Sequence, residues 1–334
     1  MITHRERIQA CLRGQIVDRP AVALWRHFPV DDQSPDTLAA AHLAFQHAYD
    51  FDLVKVTPAS SFSVKDWGVQ DRWEGSLEGT RTYTHRVIRK PQDWENLPAL
   101  LPAAPHLAQQ LQCLRLLRAT LGVDTPLLQT VFNPLAQAKH LAGDDLLRKH
   151  LREHPEAVEF GLGAIAQTTQ HFIREAAEAG IDGIFYAIQH AQPSMLSQQE
   201  FARFSRNLDL MLLQAADGLW CNILHVHGED VYLNAVSSYP AHILNWHDRE
   251  AGPSLEHATR IWPGVLCAGL SRQTLVYGSP PAIAQEAAEA FSHSSRPPIL
   301  STGCVLPIIA PHGNIVAARN AAAAAGSSTF KTRK

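Results

Sequence analysis

Eight short apolar runs, separated mostly by stretches of helical periodicity, constrain the fold of this chain more than any other feature. They occupy residues 21–25, 53–57, 126–131, 183–187, 221–226, 242–246, 264–269 and 298–302. Between them, 155–179, 198–216 and 281–292 repeat apolar residues every three to four positions, as one face of a helix does. Strands that alternate with helices form a parallel sheet, and eight such units close on themselves. The predicted fold is therefore α/β: a single (β/α)8 TIM-type barrel with an inserted excursion after strand 2. That excursion, 61–95, is rich in Trp, Gly, Thr and Arg and breaks the alternation. No glycine-rich phosphate fingerprint follows the first run, which disfavours an open dinucleotide-binding sheet.

The chain begins with a helix signal. Thr3 and Glu6 have capping-box spacing, and an amphipathic stretch follows from Arg5 to Leu12 until Gly14. Asp18-Arg19-Pro20 breaks the helix ahead of the first strand. With 46% hydrophobic residues a large core is available, and 334 residues suit one domain over 1–320. The remainder, 321–334, has alanine runs and then a Gly-Ser-Ser and basic stretch, expected to be a fraying helix followed by a disordered tail. A net charge of −3 argues against nucleic-acid or membrane partners. The five scattered cysteines suit reduced thiols, and there is no signal-peptide or membrane-spanning pattern, so a cytoplasmic location is expected.

In such a barrel the loops after the strands' C-terminal ends build the active site, while the interior is packed. Those positions carry Arg26, His27, Thr57, Ser60, Gln129, Asn133, Tyr186, Gln189 and His190 in the first half. The second half adds His225, His227, Asn245, His247, Asp248, Arg249, Ser271, Arg272 and Cys304. His225 and His227 stand i, i+2 at a strand's end, so both side chains point the same way. Two adjacent imidazoles can hold a metal, an anionic substrate or a shared proton. Arg26 offers a planar donor fork suited to a carboxylate or phosphate. Asn133, Tyr186, Gln189, Asn245 and Arg272 are further substrate-binding candidates, and Asp248 or Glu229 could accept a ligand histidine's N–H. Trp67 and Trp73 could roof a large flat ligand.

Several separated motifs occur in a familiar order. They are Thr3, Arg5, Glu6, Arg7, Gly14 and Asp18-Arg19-Pro20, then Asn133-Pro134-Leu135, then Gly303-Cys304, Pro307, Pro311 and Asn314-Ile315. In these the chain resembles the uroporphyrinogen decarboxylase superfamily over about residues 3–320. That superfamily includes zinc-dependent methyltransferases acting on corrinoid-bound methyl groups. The decarboxylases resemble the chain at Leu24-Trp25-Arg26, where an arginine binds substrate carboxylates. Their catalytic aspartate has no counterpart, since Thr57-Pro58-Ala59-Ser60 stands there, their tyrosine falls near Ala138 and their late histidine near Cys304.

The methyltransferases' His-x-Cys…Cys ligand pattern is matched by His225-Val226-His227…Cys304. The resemblance thus implies zinc on His225, His227 and Cys304, with His247 as a fourth ligand or as a partner that orients one. It implies alkyl or methyl transfer to a small thiol, with a corrinoid, carried by a corrinoid protein, as the methyl donor. The alternatives are a carboxy-lyase acting on a tetrapyrrole and a non-catalytic barrel that binds tetrapyrroles or corrinoids. The sequence leaves oligomeric state open.

Overall fold

The structure, a computed structural model, describes residues 2–15, 17–294 and 296–328. Strands are numbered in chain order: β1 (Val54–Val56), β2 (Gln70–Arg72), β3 (Thr82–His85), β4 (Leu127–Phe132), β5 (Gly183–Ile188), β6 (Ile223–Val226), β7 (Ile243–Trp246), β8 (Val265–Leu270) and β9 (Ile299–Thr302). β1 and β4 to β9 form one parallel sheet in that order. Residues 21–25 close the ring. Val22 lies parallel to Leu300 of β9, the Ala23 amide donates to the Leu300 carbonyl at 3.0 Å, and the Asp52 amide donates to the Val22 carbonyl at 2.9 Å. Each strand of this parallel sheet is buried on both faces, by the filled interior within and by helices without, which is why each appeared as an apolar run. The excursion after the second barrel strand carries the antiparallel ribbon β2–β3.

The opening motif pins the ring at the end opposite the strands' C-termini. Thr3 caps the helix His4–Leu12 with the reciprocal Glu6 bond, as the spacing predicted. Arg7 on that helix reaches the fully buried Asp52 at 2.7 Å, and Arg19 meets the same carboxylate at 2.6 and 2.9 Å. Asp52 also accepts the Val22 amide at 2.8 Å, so one carboxylate joins the first helix to the first two barrel positions. A second hub, Asp182 ahead of β5, accepts from Arg5 at 2.5 Å, Arg118 at 2.6 Å and the Leu127 amide at 2.9 Å. The Arg-Glu-Arg and Asp-Arg-Pro motifs are thus structural at this end.

The last helix, His312–Ser328, runs into the segment expected to be a tail. Ala322 and Ala325 are buried. Gly326 sits so close to the chain at 18–19 that a Cβ there would meet the Asp18 carbonyl oxygen at 2.3 Å. The expected disorder over 329–334 lies outside the described residues. No helix among the described residues is long and apolar enough to cross a membrane.

Candidate metal centre at the barrel mouth

The ends of the adjacent strands β6 and β7 and the turn after β9 deliver one cluster. One ring nitrogen from each of His225, His227 and His247 and the sulfur of Cys304 supply four donor atoms that lie within 4.8 Å of one another. His247 Nε2 is 3.2 Å from His227 Nδ1, and Cys304 Sγ is 3.8 Å from that same nitrogen. His225 and His247 are buried, while His227 and Cys304 are partly exposed at the cavity side.

Gly303 makes this convergence possible. A Cβ on it would lie 2.5 Å from the Trp246 carbonyl oxygen and 2.6 Å from His247 Cα, so only glycine lets the turn press against the end of β7.

Asn245 fixes the orientation of His225 by elimination. Its amide nitrogen lies 2.6 Å from the Cys267 carbonyl and 3.0 Å from the Thr302 carbonyl, both of which can only accept. Its Oδ1 therefore faces His225 Nδ1, at 2.7 Å, and Nδ1 carries the proton. That leaves the Nε2 lone pair of His225 free for the cluster, the arrangement typical of a metal-ligating histidine. Burial pushes the His225 pKa well below its ordinary value, and the neighbouring His227 and His247 push it the same way. Burial likewise brings His227 down to about 4. Both imidazoles are thus neutral near pH 7 and available as lone-pair donors.

The cluster forms one wall of a cavity enclosing about 620 Å3, including its open mouth. Trp25, Phe132, Phe185 and Val305 give it apolar sides, and Lys55, His27, Glu78 and Gln189 place polar groups in it. The Phe185 ring stacks on His225 with centroids 5.0 Å apart. Gln189 Oε1 accepts from the largely buried Lys139 ammonium at 2.6 Å. His190, fully buried behind it, has neither ring nitrogen hydrogen-bonded among the described residues, and burial holds its pKa at about 3.

Other sequence-derived candidates lie elsewhere. Arg26 points away from the cavity: its guanidinium packs 5.2 Å from both the Phe28 and Phe45 rings and reaches the Ile308 carbonyl at 3.4 Å. Strand alternation explains this, because Trp25 and His27 face inward on either side of it. Tyr186 faces outward for the same reason and donates to Asp209 at 2.8 Å, while Phe185 takes the inward place. Asn133 caps the helix Pro134–Ala142 and also donates to Asp209, at 3.3 Å. Asp248 accepts the Gly269 amide at 3.0 Å and does not join the four-residue cluster. Arg249 pairs with Glu289 at 3.1 Å.

Arg272 stands at the mouth, holding Glu78 at 2.5 Å and Glu250 at 3.4 Å. Trp67 and Trp73 spend their indole N–H groups on the Pro98 and Ser76 carbonyls and do not line the cavity. The partner expected from Asp248 or Glu229 comes instead from Asn245. Lys55 and Phe185 escaped the sequence reading, hidden inside apolar runs.

The family model for uroporphyrinogen decarboxylase (URO-D) matches residues 3–324. The chain belongs to the uroporphyrinogen decarboxylase family. Its fold is similar to that of a methyltransferase from Methanosarcina mazei, with a TM-score of 0.85 and 20% identity over 96% of this chain and 98% of that one. A weaker likeness, TM-score 0.54 at 13% identity over 87% and 86% of the two chains, is to a B12-independent methionine synthase from Shewanella sp. W3-18-1 in complex with selenomethionine. At these identities the likeness is one of fold. No curated protein matches this uroporphyrinogen decarboxylase-family chain.

Proposed function

We propose that this chain is a zinc-dependent enzyme that transfers a methyl or other alkyl group to a small thiol, with a corrinoid as donor. One observation carries the reading: three imidazole nitrogens and one cysteine sulfur converge at the C-terminal mouth of the barrel. Zinc prefers this mixture of imidazole and thiolate; donors about 2.0–2.3 Å from a tetrahedral ion stand roughly 3.3–3.8 Å apart, so the cluster, spread over up to 4.8 Å, would draw in slightly to hold one. His225, His227 and Cys304 would hold the ion, with His247 as a fourth ligand or as the group that orients one. Bound there, zinc supplies Lewis acidity that lowers the pKa of a coordinated thiol and makes its sulfur nucleophilic near neutral pH.

The chain's own residues do the rest. Asn245 keeps the His225 lone pair aimed at the cluster. Trp25, Phe132, Phe185 and Val305 exclude water from the reacting sulfur. In the reaction the thiol loses its proton, an S–C bond forms, and the donor–carbon bond breaks with its electron pair remaining on the donor. The fold likeness to the Methanosarcina mazei methyltransferase supports this reading. So does the lack of a carboxylate at Thr57-Pro58-Ala59-Ser60, which weighs against tetrapyrrole decarboxylation. The partners are then a small-molecule thiol and a corrinoid protein, in the cytoplasm.

The test is thiol consumption with methylcobalamin as donor, for the wild type and His227→Ala. Zinc-dependent loss of free thiol, absent in the variant, is the expected result. Turnover of a porphyrinogen to a decarboxylated, fluorescent oxidised product, with no thiol consumed, would overturn the proposal in favour of the carboxy-lyase.

A further inference from the structure

Cys304 differs from the other ligands in standing on a turn, where no strand ladder holds it. It follows the last residue of β9 across Gly303, which has no side chain to brace the chain. The other four cysteines are buried, whereas Cys304 is partly exposed to the cavity, so packing alone does not fix it. Val305 after it contributes an apolar wall to the same cavity. The chain is tied down again at Leu306, whose amide donates to the Trp25 carbonyl at 2.8 Å.

One side chain spans this turn. Thr302, fully buried at the end of β9, brings its hydroxyl to 2.6 Å from the Cys304 carbonyl. The carbonyl can only accept, so the hydroxyl donates. That bond fixes the peptide plane after Cys304, and with it the direction of the Cys304 Cα–Cβ bond. A branched Cβ leaves threonine few rotamers, which makes the bond a stiff brace. Thr302 is itself well anchored: it lies opposite Leu270 of β8, and its carbonyl accepts Asn245 Nδ2 at 3.0 Å. Asn245 is the residue that orients His225. A continuous set of hydrogen bonds therefore runs from the His225 ring through Asn245 and Thr302 to the backbone of Cys304, whose Sγ stands 3.8 Å from His227 Nδ1.

Resting on the zinc reading, we propose that Thr302 is the positioning residue of the sulfur ligand: its hydroxyl holds Cys304 where Sγ can share an ion with His225 and His227. Thr302 touches neither the ion nor the substrate and acts through the backbone of Cys304. Zinc–sulfur bonds keep within about 0.2 Å of about 2.3 Å, so a small swing of the turn is enough to lose the bond.

Cobalt(II) in place of zinc reads this bond directly, because a cobalt–thiolate bond gives a near-ultraviolet charge-transfer band that imidazole ligands do not. Thr302→Val keeps the side chain's volume and removes the hydroxyl, and Thr302→Ser keeps the hydroxyl. Thr302→Val should weaken the charge-transfer band and lower zinc affinity by about 10- to 100-fold in chelator competition, the usual effect of losing a group that orients a ligand. Thr302→Ser should restore both. A folded Thr302→Val protein with the full band and unchanged zinc affinity, whatever its stability in urea, would overturn the proposal. An equal loss in Thr302→Ser would overturn it too, since the hydroxyl would then not be what matters. Thr302→Ala, which adds no bulk, makes the same comparison if valine is not accommodated. Failure of the zinc reading looks different: the wild type would take up neither metal and show no band, and the role of Thr302 would fall with it.

Discussion

Replacing Asn245 by alanine should weaken zinc binding by about 10- to 100-fold, the usual effect of removing the group that orients a ligand histidine. In free energy that is about 1.4–2.7 kcal/mol. The loss arises because His225 Nδ1 has Asn245 Oδ1 as its hydrogen-bond partner, at 2.7 Å, and the ring is then free to take the wrong tautomer or turn. The same substitution strips a donor from the Cys267 and Thr302 carbonyls, at 2.6 and 3.0 Å. Each buried group left unpaired costs about 1–3 kcal/mol, so stability should fall by several kcal/mol as well.

Asn245→Asp separates the two effects. A carboxylate still accepts the histidine N–H but cannot donate to either carbonyl. Zinc affinity should therefore stay near the wild-type value while stability drops. Competition against a chromophoric chelator gives the affinity, and urea unfolding gives the stability. A folded Asn245→Ala protein with unchanged zinc affinity would refute the assignment of His225 Nε2 as a ligand atom.

Three further outcomes are expected. Gly303→Ala should lower zinc affinity in a protein that remains folded, since the added methyl must displace either the turn bearing Cys304 or the end of β7 bearing His247; chelator competition checks it. Asp52→Ala should destabilise the barrel by about 3–5 kcal/mol in urea unfolding, because it leaves Arg7 and Arg19 buried without their shared carboxylate. Burial raises the Asp209 carboxyl from 3.8 to about 6 against the opposing hydrogen bonds of Ser205, Tyr186, Asn133 and Tyr239. A carboxyl raised in this way binds its proton more tightly folded than unfolded, so it costs stability as pH rises from about 4 to about 6. Relative to Asp209→Asn, the wild type should lose at most about 3 kcal/mol across that window by urea unfolding, and a parallel pH profile for the two proteins would contradict this.

Much of the barrel was legible because a parallel sheet buried on both faces writes each strand as an apolar run. The expected 126–131 and 264–269 differ by one residue at each end from the strands Leu127–Phe132 and Val265–Leu270. The first run shows the limit: 21–25 closes the ring through a single bridge. At the site, the i, i+2 spacing of His225 and His227 was visible, and the structure brings His247 and Cys304 to them. Arg26 and Tyr186 were placed one residue out of phase, because a strand's end says where a residue sits but not which face it takes. Their neighbours Trp25 and Phe185 line the cavity instead. Lys55 left no signal, since a lysine within an apolar run is normally a surface residue, and only the closed ring shows that it points inward. The orienting role of Asn245 depends on which carbonyls lie opposite its amide, a relation across three strands that spacing cannot reveal.

Metal content tests the central assignment most directly. Protein expressed without an affinity tag in zinc-replete medium should carry about one zinc per chain by elemental mass spectrometry, and His227→Ala and Cys304→Ser should lose it while remaining folded. Stoichiometric metal retained in both variants, or a wild type that takes up none, would contradict the account and leave the histidine cluster as a site for protons or anions.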